Sequence, residues 1–167
     1  MKKGQIKTRI ISGFPGIGKT YFCNNSDYLV LDSDSSQYSW VLENGVKKRN
    51  PDFPANYIQH IKDNIGKYEF ILVSSHLEVR EALKLDCLFF YLIYPNLKDK
   101  MEYLKRYAER GSDDAFVKLL SDNWDNWIKE LYMEEVGCEN IRMTLGNLTS
   151  EIRHIVASEG GDCDEND

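Results

Sequence analysis

Runs of apolar residues alternate along this chain with stretches in which apolar positions recur every three or four residues. The runs are Ile6 to Ser12, Tyr28 to Asp32, Phe70 to Ser74, Cys87 to Tyr94 and Ile141 to Leu145. Phe70 to Ser74 and Cys87 to Tyr94 are continuous rather than alternating, as expected of strands buried on both faces of a parallel sheet. Between the runs lie helical stretches at Gly18 to Asn24, Tyr57 to Ile65, Leu77 to Leu85, Leu97 to Arg110 and Leu148 to Ala157. A long helix follows the breaker Gly111-Ser112-Asp113-Asp114, with Phe116, Leu119, Leu120, Trp124, Trp127 and Leu131 on one stripe. Gly66 closes one helix and Pro95 ends the fourth strand. Strand and helix in succession predict an α/β fold, a five-stranded parallel sheet with helices on both faces. Residues 1–157 read as one domain, and residues 158–167 as an acidic, disordered tail.

The first strand runs into Gly13-Phe14-Pro15-Gly16-Ile17-Gly18-Lys19-Thr20, which is glycine, four residues, then Gly-Lys-Thr. This is the Walker A pattern. Glycine allows successive backbone N–H groups to turn inward around a phosphate. Lys19 would bridge the β- and γ-phosphates of ATP, and the Thr20 hydroxyl would ligate Mg²⁺. At average residue usage, chance yields roughly 0.006 such matches in a chain of this length. The expected cofactors are therefore ATP and Mg²⁺, held by Gly13, Pro15, Gly16, Ile17, Gly18, Lys19 and Thr20.

Ligands of parallel α/β sheets sit beyond the carboxyl ends of the strands. The second strand ends in Asp32-Ser33-Asp34, and alternation would point both carboxylates to the same side. Either could hold Mg²⁺ through water or accept a proton from an attacking hydroxyl; a helix cap is the plainer alternative. The third strand ends in Ser74-Ser75-His76, with no aspartate of the Walker B type. Ser75 is a candidate for substrate contact or for capping the Leu77 helix. Arg80 is a candidate for an acceptor phosphate or for a surface ion pair. Arg106 and Arg110 are four apart and lie opposite the stripe Leu97, Met101, Leu104 and Ala108. On that free face their guanidinium groups would stabilise a phosphoryl group in transfer. The Trp124 and Trp127 stripe is expected to pack in the core.

The net charge of −6 speaks against a nucleic-acid partner, whose phosphates call for a basic surface. Lys47-Lys48-Arg49 is the one tight basic run and reads as a solvated turn. No apolar run approaches the roughly 20 residues that span a bilayer, so no membrane association is expected. The four cysteines, Cys23, Cys87, Cys138 and Cys163, have no metal-ligand spacing. Cys87 reads as a small core residue. Reduced thiols fit a cytoplasmic location.

The Walker A loop, the acidic end of strand two, the strand–Pro boundary and Tyr107 flanked by Arg106 and Arg110-Gly111 together resemble the P-loop nucleoside and nucleotide kinases. The stretch Arg49-Asn50-Pro51-Asp52-Phe53-Pro54, followed by Tyr57-Ile58, resembles small phage and Firmicute proteins of the adenylate-kinase-like type. The resemblance covers roughly residues 6 to 157, and only its Walker A part is sharply specific. It implies a P-loop NTPase fold with strand order 2-3-1-4-5. It also implies an acceptor-binding region at about residues 35–68 and a helical lid at about 97–127 carrying Arg106 and Arg110. The activity implied is phosphoryl transfer from ATP to a nucleotide, a nucleoside or a related small acceptor, with Lys19, Asp32, Asp34, Arg106 and Arg110 catalytic. Thr20 and Asp32 would serve the metal, and Asp34, Ser75 and Arg80 the acceptor. Where adenylate kinases carry Asp-Gly-Phe-Pro-Arg, this chain has Ser74-Ser75-His76-Leu77, so AMP specificity does not follow. Alternative readings are a polynucleotide or modified-base kinase and an ATP-binding regulatory protein without transfer activity.

Overall fold

The computed structural model describes residues 6–160. The first strand, β1 (Arg9–Gly13), leads into α1 (Lys19–Asn25), β2 (Val30–Asp32) and a single-turn helix α2 (Ser36–Ser39). A hairpin of β3 (Trp40–Glu43) and β4 (Val46–Arg49) follows, then α3 (Ala55–Asn64), β5 (Phe70–Ser74), α4 (Leu77–Leu85) and β6 (Phe90–Tyr94). A 3₁₀ turn (Leu97–Asp99) opens α5 (Lys100–Glu109), and the chain closes with α6 (Asp114–Tyr132), β7 (Cys138–Arg142) and α7 (Leu148–Gly160).

The main sheet has five parallel strands in the order β2-β5-β1-β6-β7. The numbering differs from the expected 2-3-1-4-5 because the β3–β4 hairpin, which the sequence reading did not anticipate, intervenes between β2 and β5. Its turn is Asn44-Gly45, both at positive φ (52° and 77°), a local hairpin signal of the strongest kind. Lys47-Lys48-Arg49 is thus strand rather than turn.

Consecutive residues of β5 and β6 are buried, which requires cover on both faces of the sheet. Phe70, Ile71, Leu72 and Val73 are each fully inaccessible. The edge strand β7 is only half buried and carries polar residues. Gly111, at φ 73°, ends the α5 segment, and the Asp113 carboxylate accepts from the Ala115 N–H to cap α6. No helix is long and apolar enough to cross a membrane among the described residues.

Two expectations about the periphery are corrected. Cys87 is exposed and sits at φ 53° in the turn before β6, because that strand starts only at Phe90. Residues 158–160 belong to α7 rather than to a tail, while 161–167 lie outside the described residues. Glu159 explains the difference. Its carboxylate accepts from Lys7 Nζ (2.6 Å), from Arg9 Nε (2.8 Å) and from the Tyr91 hydroxyl. Partial burial alone would raise its pKa, but these three donors outweigh that and hold it down to about 2.

A depressed carboxylate stabilises the fold above its unfolded pKa, and the gain is lost as pH falls through the folded value. Glu159→Gln is expected to lower unfolding free energy by about 2 kcal/mol at pH 7. The gap from wild type should close between about pH 4.5 and 2. Urea melts across that range check it; a gap that persists at pH 2 counts against the ion cluster.

Candidate functional site

Central placement of β1 determines where its terminal loop emerges. Gly13 pairs in register with Ser74 of β5 and Ile93 of β6, and the Phe14 N–H donates to the Ile93 carbonyl (3.0 Å). The loop then turns through Gly16 (φ 77°) and Gly18 (φ 107°), conformations that glycine alone adopts without strain. Phe14 and Ile17 are buried beneath it as anchors. Lys19 opens α1 and doubles back: its ammonium donates to the carbonyls of Gly13 (2.6 Å) and Phe14 (3.2 Å). A side chain on Gly16 would be blocked, since a Cβ there would stand 2.8 Å from the ring of Tyr107.

The acidic residues sit beside this loop and differ in what they do. Thr20 Oγ1 donates to Asp32 Oδ2 at 2.8 Å, which joins the loop to the end of β2. Asp34 accepts from both the backbone N–H and the hydroxyl of Ser36, each at 2.8 Å, and so holds the turn into α2. Strand β2 ends at Asp32, so the expected alternation of Asp32 and Asp34 along one strand does not apply. Both carboxylates still act on Lys19. Burial lowers its pKa to about 8, Asp32 and Asp34 oppose the shift, and the charge of Arg110 adds to it. The charges of Asp32, Asp34 and Arg110 thus all act on the Lys19 ammonium. Among the described residues no cluster of three or more His, Cys, Asp or Glu is arranged for a metal. The Thr20–Asp32 pair suits Mg²⁺, which takes one or two protein oxygens and fills its shell with water and phosphate oxygens.

The arginines separate. Arg110 lies 5.9 Å over the Tyr107 ring and has no ion-pair partner among the described residues. Arg106 pairs with Glu102 on its own helix and lies over Tyr103 at 4.8 Å. The buried face of α5 is Tyr103 and Tyr107, not the stripe beginning Leu97 and Met101; Met101 is 73% exposed. Two tyrosine rings bury more surface than the aliphatic stripe, and their hydroxyls did not keep them out of the core. Arg80 is turned inward and 1% exposed. Its Nε donates to the Ser75 carbonyl (3.0 Å), and its two terminal nitrogens pair with Glu130 of α6 and Glu134 just beyond it. This corrects the expectation of an arginine available to an acceptor phosphate.

Ser75 and His76 reach the rim of a cavity of about 290 Å³ beside the loop, walled by Phe14 and Pro15 and by α6. Residues 35–68 contribute nothing to it. The expected tryptophan stripe splits. Trp124 is fully buried and its indole N–H donates to the Leu97 carbonyl (2.8 Å), whereas Trp127, with Phe116 and Leu119, lines the cavity. The breadth of that stripe, wider than one core face needs, was the signal that α6 has two apolar faces. The hydroxyls of Ser33 and Ser74, at the ends of β2 and β5, are buried and without a hydrogen-bond partner among the described residues. No protein-family model matches the chain, and no curated protein sequence matches it.

Two outcomes check this geometry. Gly16→Ala is expected to cost roughly 2 kcal/mol of stability, through left-handed backbone strain plus the contact with Tyr107. The cost should shrink by at least about 0.5 kcal/mol in a Tyr107→Ala background. Equal costs in both backgrounds, by denaturant unfolding, would refute the contact. For Lys19, as for Glu159, a lowered folded pKa makes stability rise with pH, but here the charged form is the one penalised. Its folded pKa is lowered, so burial of the charge is a penalty present below about pH 8 and relieved towards 10.5. Lys19→Met should therefore gain stability relative to wild type at pH 7, on the order of 1 kcal/mol, and lose that advantage above pH 9. Paired melts at the two pH values read it.

Proposed function

We propose that the protein is an ATP-dependent phosphotransferase acting on a small acceptor, with Gly13–Thr20 serving as a P-loop. The observation that carries this reading is the 2.8 Å hydrogen bond between Thr20 and Asp32, alongside a lysine folded over the loop that ends β1. A hydroxyl and a carboxylate so paired form a metal-side arrangement, and the adjacent ammonium forms a phosphate-side one. Counting only members of the main sheet, the strands run second, third, first, fourth, fifth, which supports a P-loop NTPase fold.

In this reading the loop amides and Lys19 would bind the triphosphate, and Thr20 and Asp32 would hold Mg²⁺, which would supply positive charge to the phosphates. Lys19 exchanges its two carbonyl partners for phosphate oxygens, so the swap needs no large displacement. Arg110, without an ion-pair partner among the described residues and with its charge felt at Lys19, supplies positive charge to the phosphoryl group in transfer. Arg106, already paired with Glu102, has the lesser role. Helices α5 and α6 act as the lid, and Tyr107 against Gly16 keeps water from the loop. A second reading, phosphorylation of a polynucleotide end, is favoured by the exposed hairpin, where Lys47 and Arg49 lie over Trp40 at 4.9 and 5.6 Å.

The test is transfer of label from γ-labelled ATP to a panel of nucleosides, nucleotides and oligonucleotides. Wild type should label a small acceptor, and Lys19→Ala should lose roughly 10²–10³-fold in kcat/KM. Asp32→Asn should raise the Mg²⁺ concentration needed for half-maximal rate about tenfold. ATP bound without transfer to any acceptor would sink the enzyme reading. Labelling confined to oligonucleotides, and lost in Trp40→Ala, would select the second.

A further inference from the structure

The cavity beside the loop has a composition that discriminates between acceptor classes. Its volume of about 290 Å³ lies at the small end of the range for ligand sites, with room for one ring system and a sugar-sized group. Its walls are aromatic and aliphatic. Phe14 closes the loop side, and Phe116, Leu119 and Trp127 of α6 form the opposite wall. These three are displaced from the α6 core face of Leu120, Trp124 and Ile128 onto the neighbouring stripe. Phe116 and Leu119 are 36% and 50% exposed, so α6 presents them to the cavity rather than to the core.

The charge lining this space settles what it can accept. Arg80 alone among the lining side chains carries a fixed positive charge, and that charge is answered twice, by Glu130 and Glu134. Glu130 itself lines the cavity, with its side chain 45% exposed. Glu134 is also paired with Lys84, so the cluster has no positive charge to spare, and an anion entering here would meet the half-exposed Glu130 carboxylate and find no free guanidinium. A neutral ring would stack on Trp127, and its N–H or O–H groups could donate to Glu130. The rim lies beside the transfer site: Pro15 belongs to both, and His76 at the rim is close enough to Lys19 for that charge to act on its titration.

We infer that this cavity takes the phosphoryl acceptor, and that the acceptor is an uncharged, ring-bearing hydroxyl compound of the nucleoside class rather than a nucleoside monophosphate. The inference rests on the phosphotransferase reading and narrows it. The acceptor's hydroxyl oxygen bonds to the γ-phosphorus of ATP as the bond from that phosphorus to the β–γ bridging oxygen breaks. ADP leaves with that electron pair. The hydroxyl proton passes to the His76 imidazole and on to water; that side chain is exposed to solvent, and partial desolvation at the cavity keeps its pKa below the usual value, so it is neutral and able to accept near pH 7. Asp32 and Asp34, engaged by Thr20 and Ser36, are not needed as the base.

The experiment is calorimetric titration of the full chain, without ATP, with adenosine, guanosine, cytidine and thymidine and with their 5′-monophosphates. At least one nucleoside should bind, and its monophosphate should bind at least tenfold more weakly. Trp127→Ala should weaken the nucleoside at least tenfold while Trp127→Phe, the control for folding, retains most of the affinity. Glu130→Gln should narrow the gap between nucleoside and monophosphate. Monophosphates binding as tightly as nucleosides, no nucleoside binding, an unaffected Trp127→Ala, or an unchanged gap in Glu130→Gln would each overturn the assignment. A separate ATP titration of the same protein reads the phosphotransferase proposal by itself: nucleosides bound without ATP binding would remove that proposal and the acceptor role together, while leaving the cavity occupied.

Discussion

Hydrogen bonding of β1 on both sides is the constraint on which the site depends. Its residues are locked in register between β5 and β6, and the Phe14 N–H continues the ladder to Ile93 one residue beyond the strand. The chain therefore leaves the middle of the sheet at a point that cannot slip. The Phe14 side chain extends the same constraint upward, with its ring edge-on to Tyr103 (6.1 Å) and Trp124 (5.4 Å). One residue thus ties the loop to α5 and α6, and Tyr107 reaches Gly16 because Tyr103, one turn earlier, is already packed on Phe14. The loop's conformation and the position of the helices over it are a single packing solution.

A second framework is ionic. A guanidinium as buried as that of Arg80 is costly unless fully paired, and breaking such a pair leaves an uncompensated charge. Here Glu130 of α6 and Glu134 just past its end supply the carboxylates and the Ser75 carbonyl the third partner, so α4, the end of β5 and the C-terminal end of α6 are held in one arrangement. The same arrangement fixes two walls of the cavity and sets its electrostatic sign. In the acceptor proposal structural and selective roles coincide, because Glu130, a carboxylate lining the cavity, belongs to the cluster that holds the walls together.

Lys19 and Glu159 show how differently one kind of interaction acts in two settings. Glu159 stays near the surface, where three donors more than offset its partial burial, and it fastens the last helix to β1 and β6. Lys19 is desolvated with only carbonyls as direct partners, and two nearby carboxylates do not restore its pKa. A cation held in that condition gains from any ligand that brings negative charge, which is the property a phosphate-binding lysine requires.

The loop itself, the first four strands of the sheet and the α4 helix were legible in the sequence, since local patterning determines them: glycine spacing for the loop, unbroken apolar runs for β5 and β6, periodicity for the helices. The fifth strand, expected at Ile141 to Leu145, runs Cys138–Arg142 instead, because this edge strand is polar and half buried. The Asn44-Gly45 hairpin was equally local and went unread because its flanking strands are short and exposed. What the chain could not disclose by itself was the orientation of faces. Which side of α5 is buried, whether Arg80 points outward, and whether Trp127 is core or wall depend on which partners lie across the helix. Tyr103 and Tyr107 won the contact with the loop, Glu130 and Glu134 captured Arg80, and Trp124 filled the core position that left Trp127 for the cavity. The sequence by itself determined most of the elements and the glycine-rich loop between β1 and α1, because these arise from neighbours along the chain. Only the tertiary structure decided which arginine faces that loop and what chemistry lines the space beside it, because those follow from side chains brought together across the fold.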